Sequence, residues 1–208
     1  MKGVLECAGE LRKTKVKQKV DSRLKGFRAA GRKNCKEIFK ELCFCILTAN
    51  FSAERAIEIQ KGIGDGFINL PEKKLARKLK ELGYRYPNVR AKFIAEARKH
   101  KDFLKRIIDS HENERHLREW FVKNVKGLGY KEASHFLRNI GFSNLAILDF
   151  HIIDILETYN VIERPKTLTR RKYLEIENAL ERISERLGMT LGELDLYLWY
   201  AETGKILK

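Results

Sequence analysis

The chain has little of what strands, membranes and oxidised folds require. Only three prolines occur in 208 residues, and apolar residues almost never alternate with polar ones. That pattern excludes a strand-rich fold and predicts an all-helical one. No apolar run approaches the roughly 20 residues of a membrane-spanning helix. No secretory signal opens the sequence either, so the expected location is cytoplasmic. The four cysteines, Cys7, Cys35, Cys43 and Cys45, form no Cys-x-x-Cys pair and no ligand set with nearby histidines. This argues against a zinc site or a disulfide framework and fits a reducing compartment. Glutamine occurs only at Gln18 and Gln60, beside abundant Lys, Glu, Arg and Ile, a composition found in thermophiles.

What is present in excess is positive charge. The formal net charge is +15 with pI near 9.7, an imbalance that favours a polyanionic partner over a neutral or acidic one. Hydrophobic residues make up 43% and charged residues 34%, which describes a globular protein with a highly charged surface. A chain of this length can bury a substantial core in one domain or in two closely packed subdomains.

Helix signals divide the chain. Residues 16–30 are basic and amphipathic, and Val16, Val20, Leu24 and Phe27 keep helical spacing, so a docked helix is expected there. Asn34 is placed to cap a helix from Cys35 to about Thr48, and Ser52 another that ends at Gly62 or Gly64. Pro71 and Pro87 open two more, and Gly83 closes the first of them. Helices are expected over 112–124 and 131–140, from Asp149 to Tyr159, over about 169–187 and over about 190–202. Connections are short, and there is no internal repeat.

One stretch carries chemistry. Gly127-Leu128-Gly129 joins two predicted helices, and Lys131 opens the second. Glycines at alternate positions allow positive φ and a close backbone approach, so amides there can face outward beside a helix N-terminus. Such a place suits a phosphate. A lysine at that point opposes the helix dipole, so a purely structural role for it is poorly motivated. Eighteen residues on stands Asp149, in Leu148-Asp149-Phe150-His151.

This hairpin resembles that of the helix–hairpin–helix DNA glycosylases, and the chain is similar in particular to the archaeal-type (type 2) 8-oxoguanine DNA glycosylase/AP lyases. The similarity covers Leu47-Thr48-Ala49-Asn50-Phe51, Leu82-Gly83-Tyr84-Arg85, residues 125–134, residues 148–151 and Gly204-Lys205-Ile206-Leu207-Lys208. Nothing matches the four-cysteine iron–sulfur loop of the endonuclease III branch. The resemblance implies two helical subdomains with the hairpin bordering a DNA-binding cleft. One would be a helical barrel over 34–148 that includes the hairpin at about 112–140. The other would be built from both termini, 1–33 and 149–208. It implies a monomeric, prokaryotic, nucleoid-associated enzyme acting on double-stranded DNA that contains 8-oxoguanine, without cofactor or metal.

The roles it implies match what the chemistry needs. A base must be flipped from the duplex to be reached. Lys131 would attack C1′ and form a Schiff base, and Asp149 would stabilise the positive charge that develops on the sugar. Strand cleavage by β-elimination would follow. Gly127, Gly129 and His151 would contact phosphate, and Lys126, just before the glycines, would add a contact of its own. Lys126 stands where many relatives have proline. Asn50 would fill the gap left by the flipped base, Arg55 would touch its orphaned partner, and Tyr84 with Arg85 would form a wedge on the opposite strand. Trp199 would wall the base pocket, and Lys208 would help tell 8-oxoguanine from guanine. The rival readings are a non-catalytic helix–hairpin–helix DNA-binding protein and a glycosylase/lyase for another oxidised base.

Overall fold

The sequence of caps and apolar stripes becomes thirteen α-helices in the computed structural model, which describes residues 2–208. In chain order they are α1 (Lys2–Arg12), α2 (Val16–Gly31), α3 (Cys35–Leu47), α4 (Ala53–Ile63), α5 (Gly66–Asn69), α6 (Glu72–Glu81), α7 (Pro87–Ala97), α8 (Leu104–Asp109), α9 (Glu114–Asn124), α10 (Tyr130–Asn139), α11 (Phe150–Thr158), α12 (Arg170–Leu187) and α13 (Leu191–Thr203). Among the described residues there is no strand. Among the described residues no helix is long and apolar enough to cross a membrane.

The caps act as local physics requires. Asn34 accepts from the Glu37 amide at 3.0 Å, Asp149 from Ile152 at 2.9 Å, and Thr190 from Glu193 at 3.1 Å. Each satisfies an amide that the first helical turn leaves without a partner. The sequence signals did not reveal α1, nor the short α5 and α8. The hairpin helices begin at Glu114 and Tyr130, each within two residues of the predicted start. The basic 16–30 segment is the docked helix α2, with Val16, Val20 and Phe27 buried.

Two hydrophobic cores form two helical subdomains. The first draws on residues from Ile38 to Leu145 and surrounds α3, which buries eight side chains from Ile38 to Leu47. A helix apolar on nearly every side belongs at the centre of a bundle. The second core joins Val4, Ala8, Val16, Val20 and Phe27 to residues 146–198. The subdomains touch where α2 crosses the end of α10. A Cβ on Gly31 would lie 2.0 Å from the Ile140 carbonyl oxygen, so only glycine permits that approach.

The passage between the cores is an irregular segment, residues 142–149, in which Leu145 through Leu148 are all buried. Buried backbone outside helices needs partners. Here α12 supplies them: Glu177 accepts from the Ala146 amide at 2.9 Å, and the Tyr173 hydroxyl donates to the Ala146 carbonyl at 2.6 Å.

Candidate active site

A cavity of about 790 Å³ opens where the two cores meet. Its walls come from the α3–α4 connection, α10, residues 147–151, α13 and the C-terminal tail. Lys131, Asp149, His151, Asn50, Trp199 and Lys208 all line it. These residues lie in five separate stretches of the chain, and the fold gathers them around one space.

Lys131 is the second residue of α10. Its Nζ donates to the Thr48 carbonyl at 3.3 Å and lies 3.2 Å from a Glu132 carboxylate oxygen. Asp149 caps α11 and lines the same cavity. Burial pushes its carboxyl up from the ordinary aspartate value, while the Ile152 amide, Lys131 and His151 pull it partly back. The positive charge of Lys131 therefore favours the ionised form of Asp149, and both line the same cavity. The His151 ring meets Trp199 edge-on at 4.6 Å between centroids and lies 4.0 Å from the Phe150 ring. Phe150, at the mouth, is 66% exposed, an unusual state for so large an apolar ring.

The floor holds groups that the sequence reading did not single out. Arg138 donates to Asp195 and, through Nε and NH2, to the Asn139 side chain. Burial pushes the Asp195 carboxyl up to about 7; Arg138 opposes the shift and Asp149 adds to it. His135 is held well below the ordinary histidine value by burial, with Arg138 and Lys131 adding to the effect. Two buried nitrogens, His135 Nε2 and Trp199 Nε1, have no hydrogen-bond partner. Unsatisfied buried polar atoms are uncommon in folded proteins and call for an explanation. Lys131, His135 and Arg138 follow one another at i, i+4 and i+7 on one face of α10, a spacing that was present in the sequence.

The hairpin departs from expectation at one glycine. Gly127 has φ +85°, and a Cβ there would strike the Phe93 ring at 2.5 Å, so this position requires glycine. Gly129 was expected to offer its amide to a phosphate. Instead that amide donates to Glu132 at 3.2 Å, because Glu132 is the third residue of α10 and reaches back as in a capping box. Lys126 is exposed and pairs with Glu96 at 3.0 Å, an ion pair of the weak surface kind.

The opposite-strand group is also corrected at one residue. Tyr84 is only 4% exposed; its hydroxyl donates to the Leu47 carbonyl at 2.7 Å, and its ring packs on Phe51 at 4.4 Å. Such a ring is a brace and not a free wedge. With Arg90, which donates to the Ala49 carbonyl at 3.1 Å, it fixes the end of α3. Asn50 projects from that end, exposed and with φ +55°, a left-handed conformation that asparagine tolerates better than most residues. The exposed aromatic is Tyr86, at 46%, with the Arg85 guanidinium 5.0 Å from its ring centre. Arg55 donates to the Gly83 carbonyl at 3.0 Å and lies over Phe51.

Lys208 is ordered. Its ammonium donates to Glu41 at 2.7 Å and to Gln60, and sits 4.2 Å from the centre of the Phe44 ring. Among the described residues, no group of three or more His, Cys, Asp or Glu side chains is placed to hold a metal ion.

Known proteins resemble this chain in sequence and in fold. Residues 20–189 match the family model described as 8-oxoguanine DNA glycosylase. An 8-oxoguanine DNA glycosylase/AP lyase of Korarchaeum cryptofilum is 57% identical over 95% of this chain and 94% of that protein. The crystal structure of the Methanocaldococcus jannaschii 8-oxoguanine glycosylase/lyase, in complex with a 15mer DNA containing 8-oxoguanine, superposes with a TM-score of 0.95. It is 53% identical and covers 98% of this chain and 99% of that one. A non-covalent endonuclease III–DNA complex superposes with a TM-score of 0.57 at 16% identity, covering 89% of this chain and 83% of that one. That likeness concerns the fold alone.

Proposed function

This chain belongs to the 8-oxoguanine DNA glycosylase family, and from that premise we propose the part each residue plays. The enzyme excises 8-oxoguanine from double-stranded DNA and then cleaves the strand at the abasic site. The observation that carries the assignment of roles is that Lys131, on α10, and Asp149, at the start of α11, line one cavity.

The flipped nucleotide enters the cavity, with its base toward Trp199 and Phe150 and its sugar between Lys131 and Asp149. As the C1′–N9 bond breaks, positive charge grows on the sugar, and the Asp149 carboxylate stabilises it from a site where water does not screen the field. The Lys131 amine forms a bond to C1′ as the base leaves with the bonding electron pair and takes the proton that the attacking nitrogen sheds. The ring oxygen then leaves C1′ with its bonding pair and is protonated by solvent, while the nitrogen lone pair closes the protonated Schiff base. Loss of a 2′ proton expels the 3′ phosphate, which completes β-elimination. The buried nitrogens of His135 and Trp199 are placed to find partners on the base.

Gly127, Lys126 and His151 lie on the phosphate-facing side of this arrangement. The Gly129 amide serves there only where a phosphate displaces Glu132. Asn50 fills the vacated stack, and Arg85 with Tyr86, in place of Tyr84, meets the opposite strand. The barrel subdomain spans 34–145 and the second subdomain 2–33 with 146–208, a boundary three residues earlier than expected because Ala146 and Leu148 pack in the second core. A prokaryotic cytoplasm, where the nucleoid is accessible, is the location this role requires.

Lys131→Gln tests the central assignment. Borohydride trapping on an 8-oxoguanine duplex and strand cleavage are both expected to disappear, while duplex binding persists. Trapping of the variant at the wild-type level would move the nucleophile to another lysine, with Lys126 or Lys123 next in line.

A further inference from the structure

Resting on the roles of Lys131 and Asp149, we propose that Tyr173, through Ser134 and the backbone of residues 146–148, is a positioning residue that sets the register between the two catalytic groups. Neither Tyr173 nor Ser134 lines the cavity. Both are buried, at 2% and 0% exposure.

The geometry forms one directed chain. Arg118, on α9, donates to the Ser134 hydroxyl at 3.1 Å. Ser134 lies 3.3 Å from the Tyr173 hydroxyl, which donates to the Ala146 carbonyl at 2.6 Å. A phenol has one proton, and the shorter contact takes it, so Ser134 donates to Tyr173. The same phenolic oxygen accepts from the Leu148 amide at 3.4 Å. Ser134 is three residues past Lys131, on the adjoining face of α10. Leu148 is the residue before Asp149. One hydroxyl thus holds the helix that carries the amine and the segment that carries the carboxylate.

Residues 142–149 form no helix, and their stretch nearest Asp149, residues 146–148, is held by side chains that α12 projects into it. Glu177 holds the Ala146 amide, and Tyr173 holds the Ala146 carbonyl and the Leu148 amide. Elsewhere the segment is held by Glu114 at the Asn144 amide, by the Gly192 amide at the Ser143 carbonyl and by its own Asp149 amide at the Ile147 carbonyl, none of which reaches α10. Loss of the phenol leaves two backbone groups buried without partners, and the segment must shift to satisfy them.

The experiment is Tyr173→Phe, with single-turnover excision on an 8-oxoguanine duplex measured beside borohydride trapping on a duplex that already contains an abasic site. Excision needs both Asp149 and Lys131, whereas imine formation at an existing abasic site needs only the amine. A misplacement on the ångström scale is expected to slow excision by roughly 10–100-fold. Trapping at the abasic site and duplex affinity stay near wild type. Adding Ser134→Ala is expected to deepen the loss little, because both changes break the same chain. Excision unchanged from wild type would overturn the proposal. So would excision and abasic-site trapping that fall in parallel, the mark of a general loss of folded protein. Where Tyr173→Phe is not recovered folded, Ser134→Ala alone carries the same pair of measurements, with the same split expected. A wild-type chain that neither excises 8-oxoguanine nor is trapped would fail the functional reading itself, a result separate from this one.

Discussion

Glu177→Gln is expected to destabilise the protein strongly, although it changes one atom and lies outside the cavity. Glu177 is fully buried and accepts from three donors: Arg118 NH1 at 2.6 Å, Arg118 NH2 at 2.8 Å and the Ala146 amide at 2.9 Å. Arg118 is itself buried and lies between the rings of Tyr130 and Tyr173, at 5.0 and 5.5 Å. Glutamine supplies one acceptor oxygen and an amide donor that must face another donor. The guanidinium keeps its charge and loses its counter-charge in a place water cannot reach. Removing one partner of a buried pair costs about 3–5 kcal/mol. In a chain of this length each kcal/mol moves Tm by about 2–4 °C, so Tm is expected to fall by about 6–20 °C. Thermal unfolding followed by circular dichroism gives the measurement. The companion variant Arg118→Met with Glu177→Leu removes both charges and is expected to lose less than Glu177→Gln alone. A Tm for Glu177→Gln within about 2 °C of wild type, below the effect of ~1 kcal/mol, would refute the reasoning that this pair is desolvated and mutually dependent.

Asp149→Asn should keep the α11 cap, since asparagine caps as well as aspartate, yet lower single-turnover excision by roughly 10²–10³-fold; activity per folded molecule near wild type would make Asp149 purely structural. Asp195 gives a pH test. Its folded carboxyl lies at about 7 against about 3.9 in an unfolded chain, so the folded state binds the extra proton between those values. Its contribution to stability is greatest at low pH and declines as pH rises from about 4 to about 7. Asp195→Asn should remove that decline, and a Tm difference from wild type that stays constant across the window would contradict it. Lys208→Met takes the ammonium from Glu41 and Gln60 and should cost about 1.5–3 kcal/mol of tail anchoring. Selectivity for 8-oxoguanine over guanine is expected to fall more than Tm does, and an unchanged ratio of the two excision rates would remove Lys208 from discrimination.

The sequence made visible whatever is decided within a few residues. Asn34, Ser52 and Asp149 could be read as caps from the residues around them, and each caps a helix. The hairpin was legible because Gly127, Gly129 and Lys131 fall within five residues. What escaped was decided at a distance. Arg118 and Glu177 are 59 residues apart, and no local pattern announces their pairing. Tyr84 illustrates the intermediate case. An aromatic after a glycine reads equally well as a wedge or as a packed helix end, and only the Leu47 carbonyl 37 residues away decides the matter. The α10 face of Lys131, His135 and Arg138 was available from spacing alone, but a histidine and an arginine on a helix acquire meaning only when a cavity opens beside them.

The division of the two cores has a consequence for how the chain assembles during synthesis. The core around α3 is complete once residues up to Leu145 have emerged, because all its members lie between Ile38 and that point. The other core joins Val4, Ala8 and Val20 to residues as late as Leu198. Helix α2 can dock on α10 earlier, but α1 must wait, with its apolar face uncovered, until α12 and α13 leave the ribosome. Contacts of such sequence separation form slowly. The cavity between the cores, and with it the capacity to act on DNA, is therefore the last thing the growing chain acquires.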